Sequence, residues 1–182
     1  DIGTVDLLYS MFRTCAIVIL MTLSSFTFSQ NAAIDSKLQT EFTADVDSLI
    51  GLARSLIGVP YRYGGTTTEG FDCSGFVNFV FSSFGYDLPR SPADMADIGT
   101  EIPLEECRKG DIILFAGSNR KKRPIGHSGI VISDPLEPVK FIHSATSNHQ
   151  GIVITALDAY EYYTSRFVKV IRVLSDATSD SE

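Results

Sequence analysis

The chain predicts an α+β domain, with helices gathered in its first half and an antiparallel sheet built from its second half. Three observations carry this. Apolar residues recur at helical spacing from Phe42 to Ile57, and again behind a glycine-rich loop from Cys73 to Phe84. After Gly110 the pattern changes to short β-rich runs separated by turn residues.

The first helix places Phe42, Val46, Leu49, Ile50, Ala53, Leu56 and Ile57 on one face, and Gly58 and Pro60 end it. Tyr61 to Gly70 is rich in Gly and Thr and reads as a loop. A second helix starts near Asp72 or Cys73, turns Phe76, Val77, Val80 and Phe84 inward, and closes at Gly85. A short third helix covers Pro92 to Asp97. The strands follow at Ile112–Phe115, Ser128–Ile132, Val139–Ile142, Ile152–Thr155 and Phe167–Val173. Gly117-Ser118-Asn119, Asp134-Pro135 and Asn148 to Gly151 supply the turns. No internal repeat is visible.

A chain of 182 residues that is 44% hydrophobic has the material for one packed core plus flanking ends. Its net charge of -7 argues against a general nucleic-acid binder. Its 7 Tyr and 12 Phe argue against a disordered chain. Near the N-terminus, Met11-Phe12-Arg13-Thr14 gives a short positive start, and an apolar run from Cys15 to Phe28 turns polar at Ser29-Gln30-Asn31. That is the layout of a secretory signal peptide over 11–29, cut near Ser29-Gln30. An uncleaved anchor is the competing reading, although the run is short for a membrane span. The expected product is secreted or periplasmic, has no membrane span in its mature form, and acts as a monomer. Residues 30–47 form a linker or helix lead-in, 48–174 the folded domain, and 175–182 a disordered acidic tail.

Cys73 is the residue with chemistry to offer. A cysteine at a helix start meets unpaired N–H groups and the positive end of the helix dipole, and both favour thiolate, the attacking species. Asp72 suits the N-cap, and Gly75 leaves room for a substrate to approach. A buried structural cysteine is the alternative. Cys107, in a polar turn, reads as structural or incidental. A thiol nucleophile needs a base, and there are 3 histidines. His127 opens a strand after a glycine, His143 ends the next one, and His149 sits in a turn. No Cys-x-x-Cys or His-x-x-x-His spacing is present, so neither a metal nor another cofactor is expected.

The two strand histidines bracket the turn at Asp134-Pro135-Leu136-Glu137-Pro138. A turn centred on residue 135 puts His127 opposite His143, and one centred on residue 136 makes them diagonal neighbours. Both registers put the two side chains on one face of the sheet. That face is expected to be the one packed against the Cys73 helix.

Six blocks in order now resemble the NlpC/p-sixty family of cell-wall cysteine peptidases. They are Pro60-Tyr61-Arg62-Tyr63-Gly64-Gly65, Gly70-Phe71-Asp72-Cys73-Ser74-Gly75-Phe76-Val77, Leu88-Pro89-Arg90-Ser91, Gly110-Asp111-Ile112-Ile113-Leu114-Phe115, Gly126-His127-Ser128-Gly129-Ile130-Val131-Ile132 and Phe141-Ile142-His143-Ser144-Ala145. The resemblance implies a papain-like α+β fold, with the cysteine helix packed on a small antiparallel sheet. It implies Cys73 as nucleophile, His127 as base, His143 as the residue that orients the base, and Tyr61 as an oxyanion donor. It implies that Arg62, Asp72 and Ser74 line the substrate cleft. The implied partner is the peptidoglycan stem peptide, cut between γ-D-glutamate and a diamino acid. Two features depart from the pattern: no accessory wall-binding domain is visible, and Arg120-Lys121-Lys122-Arg123 looks like a local insertion. Amidase or acyl-transfer chemistry on the same Cys/His pair, and a catalytically silent wall-binding protein, are the competing readings.

Overall fold

Phe71, Phe76, Val77, Val80 and Phe81 carry no measurable exposure, and they draw the segment around Cys73 into the centre of the molecule. The computed structural model describes Lys37 and residues 45–117, 124–146 and 151–174. Contacts group Thr43–Asp176 into one compact unit, and apart from Lys37 the remainder, Asp1–Phe42 with Ala177–Glu182, lies outside the described residues. The expected signal segment, most of the linker, the Arg120–Arg123 run, His149 and the acidic tail also lie outside them.

Helix α1 occupies 45–55, with Val46, Leu49, Ile50 and Ala53 buried. The strands β1 (Thr66–Thr67) and β2 (Gly70–Phe71) form a small ladder that leads into α2 (Cys73–Ser82). Helix α3 (Pro92–Met95) is shorter than the pattern predicts, because Ala96 already caps it. β3 (Thr100–Ile102), β4 (Ile112–Ala116), β5 (Ile125–Val131), β6 (Lys140–Ala145) and β7 (Gly151–Ala156) follow. A one-turn helix α4 (Glu161–Thr164) and β8 (Phe167–Arg172) complete the unit. The main sheet has the order β3-β8-β4-β5-β6-β7, with every neighbouring pair antiparallel.

Strand β4 is buried along its whole length, as expected for a central strand covered on both faces. Its Ile113 and Phe115 join Val131, Phe141, Leu157, Tyr163, Val170 and Cys107 in one core cluster. Cys107 therefore sits in packed hydrophobic surroundings, where burial pushes its thiol up to about 11. Helix α2 packs on β5 and β6. The edge at β7 is covered by the chain that leaves α1: Gly58 N–H donates to the Ile152 carbonyl and Ile152 N–H to the Val59 carbonyl, at 3.0 and 2.9 Å. Among the described residues no helix is long and apolar enough to cross a membrane.

Candidate active site

The start of α2 is fixed by a dense set of bonds to Asp72. Its carboxylate caps the helix by accepting from Gly75 N–H at 2.7 Å and holds the preceding loop by accepting from Gly64 N–H at 3.0 Å. Arg90 grips the same carboxylate with two nitrogens, at 3.0 and 2.6 Å, and donates to Ser74 Oγ at 2.7 Å. Burial pushes the Asp72 carboxyl up, but Arg90 and the two backbone N–H groups outweigh it and hold it below the usual range. Ser144 on β6 donates its hydroxyl to the Phe71 carbonyl at 2.7 Å, tying the segment before Cys73 to the strand that carries His143. Gly75 has no room to spare for a substrate. A Cβ there would strike the carbonyl oxygen of Gly65, so the glycine admits the crossing loop instead.

On the sheet, β5 begins at Ile125, so His127 stands inside the strand instead of at its start. His127 pairs with Phe115, and the next β4 residue, Ala116, pairs with Ile125, so the register shifts at Gly126. A Cβ on Gly126 would come within 2.9 Å of Gly117 Cα, which is why two glycines face each other there. Ile130 pairs with Ile142 and Val131 with Phe141, the register of a turn centred on residue 136. The histidines are diagonal neighbours on one face, with His127 Nε2 2.9 Å from His143 Nδ1. His143 Nε2 lies 3.0 Å from Thr155 Oγ1 on β7. The rings of Phe115, Phe141 and Tyr163 enclose the pair.

That face is not the one α2 packs against, contrary to the sequence expectation. Ser128 and Ser144, each one residue on from a histidine and so on the opposite face, are the side chains that meet the Cys73 segment. Cys73 reaches the histidine side past the irregular start of β5, where its sulfur lies 4.0 Å from the Gly126 carbonyl oxygen. Cys73 and His127 line a common cavity of about 270 Å³, together with Tyr61, Tyr162, Tyr163 and Arg166. Arg62, Asp72 and Ser74 do not line it. Arg62 is exposed and faces Glu69 at 3.6 Å, while Asp72 and Ser74 are buried and bonded to the exposed Arg90.

The electrostatics describe a neutral pair at rest. Burial pushes the Cys73 thiol up, and the nearby Asp72 charge adds to it, outweighing the support that Ser128 and the Ser74 backbone would give a thiolate. The thiolate expected from the helix start is therefore not the resting form. Burial, with the Arg166 charge, lowers His127 to about 4. Burial and then His127 hold His143 well below its ordinary value. Burial, and the negative charges that Cys73 and Asp72 can carry, push the Tyr61 phenol up, so it stays a hydrogen-bond donor. Ser128 Oγ is buried without a hydrogen-bond partner in this resting arrangement, and a charged Cys73 sulfur is the group it could serve.

Tautomers follow from the bonding chain. If His143 donates from Nε2 to Thr155, its Nδ1 has a lone pair to accept Nε2–H of His127. His127 Nδ1 is then unprotonated and available to the cavity it shares with Cys73. A proton taken at Nδ1 would leave an imidazolium bonded to His143. Thr155, Ser128, Arg90 and Arg166 are members of this environment that the sequence reading left unassigned. Arg90 and Ser128 had a signal, inside the Leu88-Pro89-Arg90-Ser91 and Gly126-His127-Ser128-Gly129 blocks, and Thr155 and Arg166 had none.

A cysteine at a helix start, sharing a cavity with a histidine near the start of an inner strand of an antiparallel sheet, is the arrangement of the papain-like class of α+β domain. The match is specific: residues 58–172 fit the model of the NlpC/P60 family, and the chain belongs to that family. It is 38% identical over 120 residues to murein DD-endopeptidase MepS/murein LD-carboxypeptidase of Escherichia coli (strain K12), covering 65% of this chain and 57% of that protein. It is 30% identical over 130 residues to γ-D-glutamyl-L-lysine dipeptidyl-peptidase of Bacillus subtilis (strain 168), covering 71% and 42%. A crystal structure of an NlpC/P60 family protein from Bacillus cereus superimposes with TM-score 0.63 at 30% identity, covering 71% of this chain and 40% of that one. The chain spans about half the length of the curated relatives it matches.

Proposed function

We propose that this chain is an exported cysteine endopeptidase of peptidoglycan stem peptides, cutting between γ-D-glutamate and the following diamino acid. The observation that carries the reading is Cys73 sharing a cavity with a histidine whose far nitrogen is bonded through His143 to Thr155. In this reading His127 takes the thiol proton as the sulfur attacks the carbonyl carbon, and Tyr61 donates to the developing oxyanion. The C–N bond breaks, and His127 returns its proton to the leaving amine. Water then attacks the thioester, giving its proton to His127 and freeing the carboxylate and the thiol. Residues 11–29 direct export, and 48–174 hold the catalytic machinery. Arg62, Asp72 and Ser74 remain on the substrate side, Asp72 and Ser74 acting through the Arg90 cluster instead of the cavity wall.

The relatives' names point to two bonds, since one is a murein DD-endopeptidase and another a γ-D-glutamyl-L-lysine dipeptidyl-peptidase. Mass spectrometry of muropeptides digested by the purified protein separates them. Fragments ending in γ-D-glutamate are expected, and a folded Cys73→Ala protein should produce none. Split cross-links with intact stem peptides would replace this bond assignment by the DD-endopeptidase one. Release of whole stem peptides from glycan would mark an amidase.

A further inference from the structure

Arg166 stands where the charge of a substrate would be read. Its backbone is held at both ends: its N–H donates to the Tyr163 carbonyl at 3.1 Å, and its carbonyl accepts from Ala116 N–H at 2.8 Å. Its guanidinium lies over the Tyr162 ring, 4.3 Å from the centroid. Stacking fixes the plane of the group and leaves its N–H edge free to donate. Among the described residues lining the cavity, Arg166 is the only Lys or Arg, and no Asp or Glu lines it. No described carboxylate pairs with it. A half-buried cation beside a catalytic pair without a counter-charge is a poor structural device, because its desolvation is uncompensated in the empty site. It is a good anion receptor, because a planar guanidinium matches a carboxylate with two parallel bonds.

The position also says which side of the scissile bond it serves. The base that protonates the leaving amine must stand on the leaving-group side of the attacked carbon. Arg166 is close enough to His127 for its charge to disfavour the imidazolium. We propose that Arg166, stacked on Tyr162, is a subsite that binds a carboxylate of the leaving diamino acid. This rests on the proposed function, which supplies a leaving group of that chemistry. The carboxylate comes from one of two places: the α-carboxyl, when the stem ends at the diamino acid, or a side-chain carboxyl, when the residue is a diamino diacid.

Two measurements on the whole chain separate this proposal from the function it rests on. Cleavage of L-Ala-γ-D-Glu-meso-diaminopimelate by the unaltered protein tests the function. Binding of that peptide to Cys73→Ala, measured by calorimetry, tests the subsite whether or not cleavage occurs. Two further peptides have the α-carboxyl or the side-chain carboxyl converted to the amide. One of them is expected to bind about tenfold more weakly than the free diacid, and which one names the source of the carboxylate. Adding Arg166→Gln to Cys73→Ala should abolish that difference, and Arg166→Lys should restore part of it. In the active background Arg166→Gln should raise KM for the preferred acid about tenfold and leave KM for its amide unchanged. Equal binding of acid and both amides overturns the subsite, as does absence of binding. An Arg166→Gln loss of the same size on acid and amide would reduce Arg166 to a structural residue.

Discussion

His127 sits in an environment that takes it far from what its type suggests. Its ordinary value of 6.5 falls to about 4, because burial disfavours the imidazolium and Arg166 opposes it. Below pH 6.5 the unfolded chain takes up a proton that the folded chain refuses, so the unfolded state binds more protons. Stability is therefore full above 6.5 and declines as pH falls towards about 4, by about 1.4 kcal/mol per pH unit for this histidine. His143, lowered in the same direction, adds to the decline. Urea midpoints between pH 4.5 and 7 should fall with acid, and His127→Gln should flatten the slope; an unchanged slope in that variant would contradict the buried neutral imidazole. Activity should keep the same sign. The acid limb of kcat/KM is expected near the shifted His127 value instead of near 6.5, and the alkaline limb above the ordinary thiol value of 9.0. Thr155 adds a second expectation at this scale. Thr155→Val removes the acceptor for His143 Nε2 while keeping the volume, so the chain that holds the reactive tautomer weakens. A fall in kcat of about tenfold with KM unchanged is expected. Wild-type kcat would show that Thr155 only fills space.

At the scale of elements, the helices α1 and α2 and the five strands with strong apolar periodicity were legible because each buries a continuous face. Four elements were not. β3, Thr100-Glu101-Ile102, carries a single large apolar residue and exists because β8 offers it a partner. The β1–β2 ladder and α4 are too short to leave a period in the sequence. The site divides in the same way. Cys73, His127 and His143 have side chains that advertise chemistry, whereas Thr155 acquires its place only because β7 lies beside β6 in this register. The block Gly110-Asp111 carried a family resemblance without a reason, and the sheet supplies one. Asp111, almost fully buried, receives two bonds of 2.8 Å from Arg172 on β8 and one of 2.8 Å from Arg108 N–H. This fork clamps the start of β4 to the end of β8. Arg172→Ala should cost about 3–5 kcal/mol, because it strands a buried carboxylate. Adding Asp111→Asn should recover part of that loss. Chemical denaturation of both variants checks this, and a loss below about 1 kcal/mol in Arg172→Ala would mean that water replaces the clamp.

At the scale of the whole molecule, the cavity is built where three separately anchored pieces converge. The loop before α2 is locked by Asp72 and Ser144, the start of β5 by the facing glycines, and the turn after α4 by Arg166. None of the three can be positioned without the shared core, so the extent of that core decides how much chain the site requires. The family resemblance runs from about residue 48, inside the helical pattern that begins at Phe42. The compact unit begins earlier, at Thr43, because Val46 in the first turn of α1 is already buried. Gly110 shows where Val46 packs: a Cβ there would meet Leu174 Cδ1 at 2.7 Å and Val46 Cγ1 at 3.5 Å. The first turn of α1 and Leu174, just after β8, therefore close over the turn that leads into β4. Trimming to 43–176 should leave the denaturation midpoint and the hydrolytic rate of the unit intact. Trimming to 48–174 removes Val46 and should cost about 1–3 kcal/mol, the worth of one buried valine, with the loss felt at Gly110 and Asp111. Equal midpoints for the two fragments would show that α1 needs no residue before 48. An unfolded 43–176 fragment would show that the unit depends on chain beyond it.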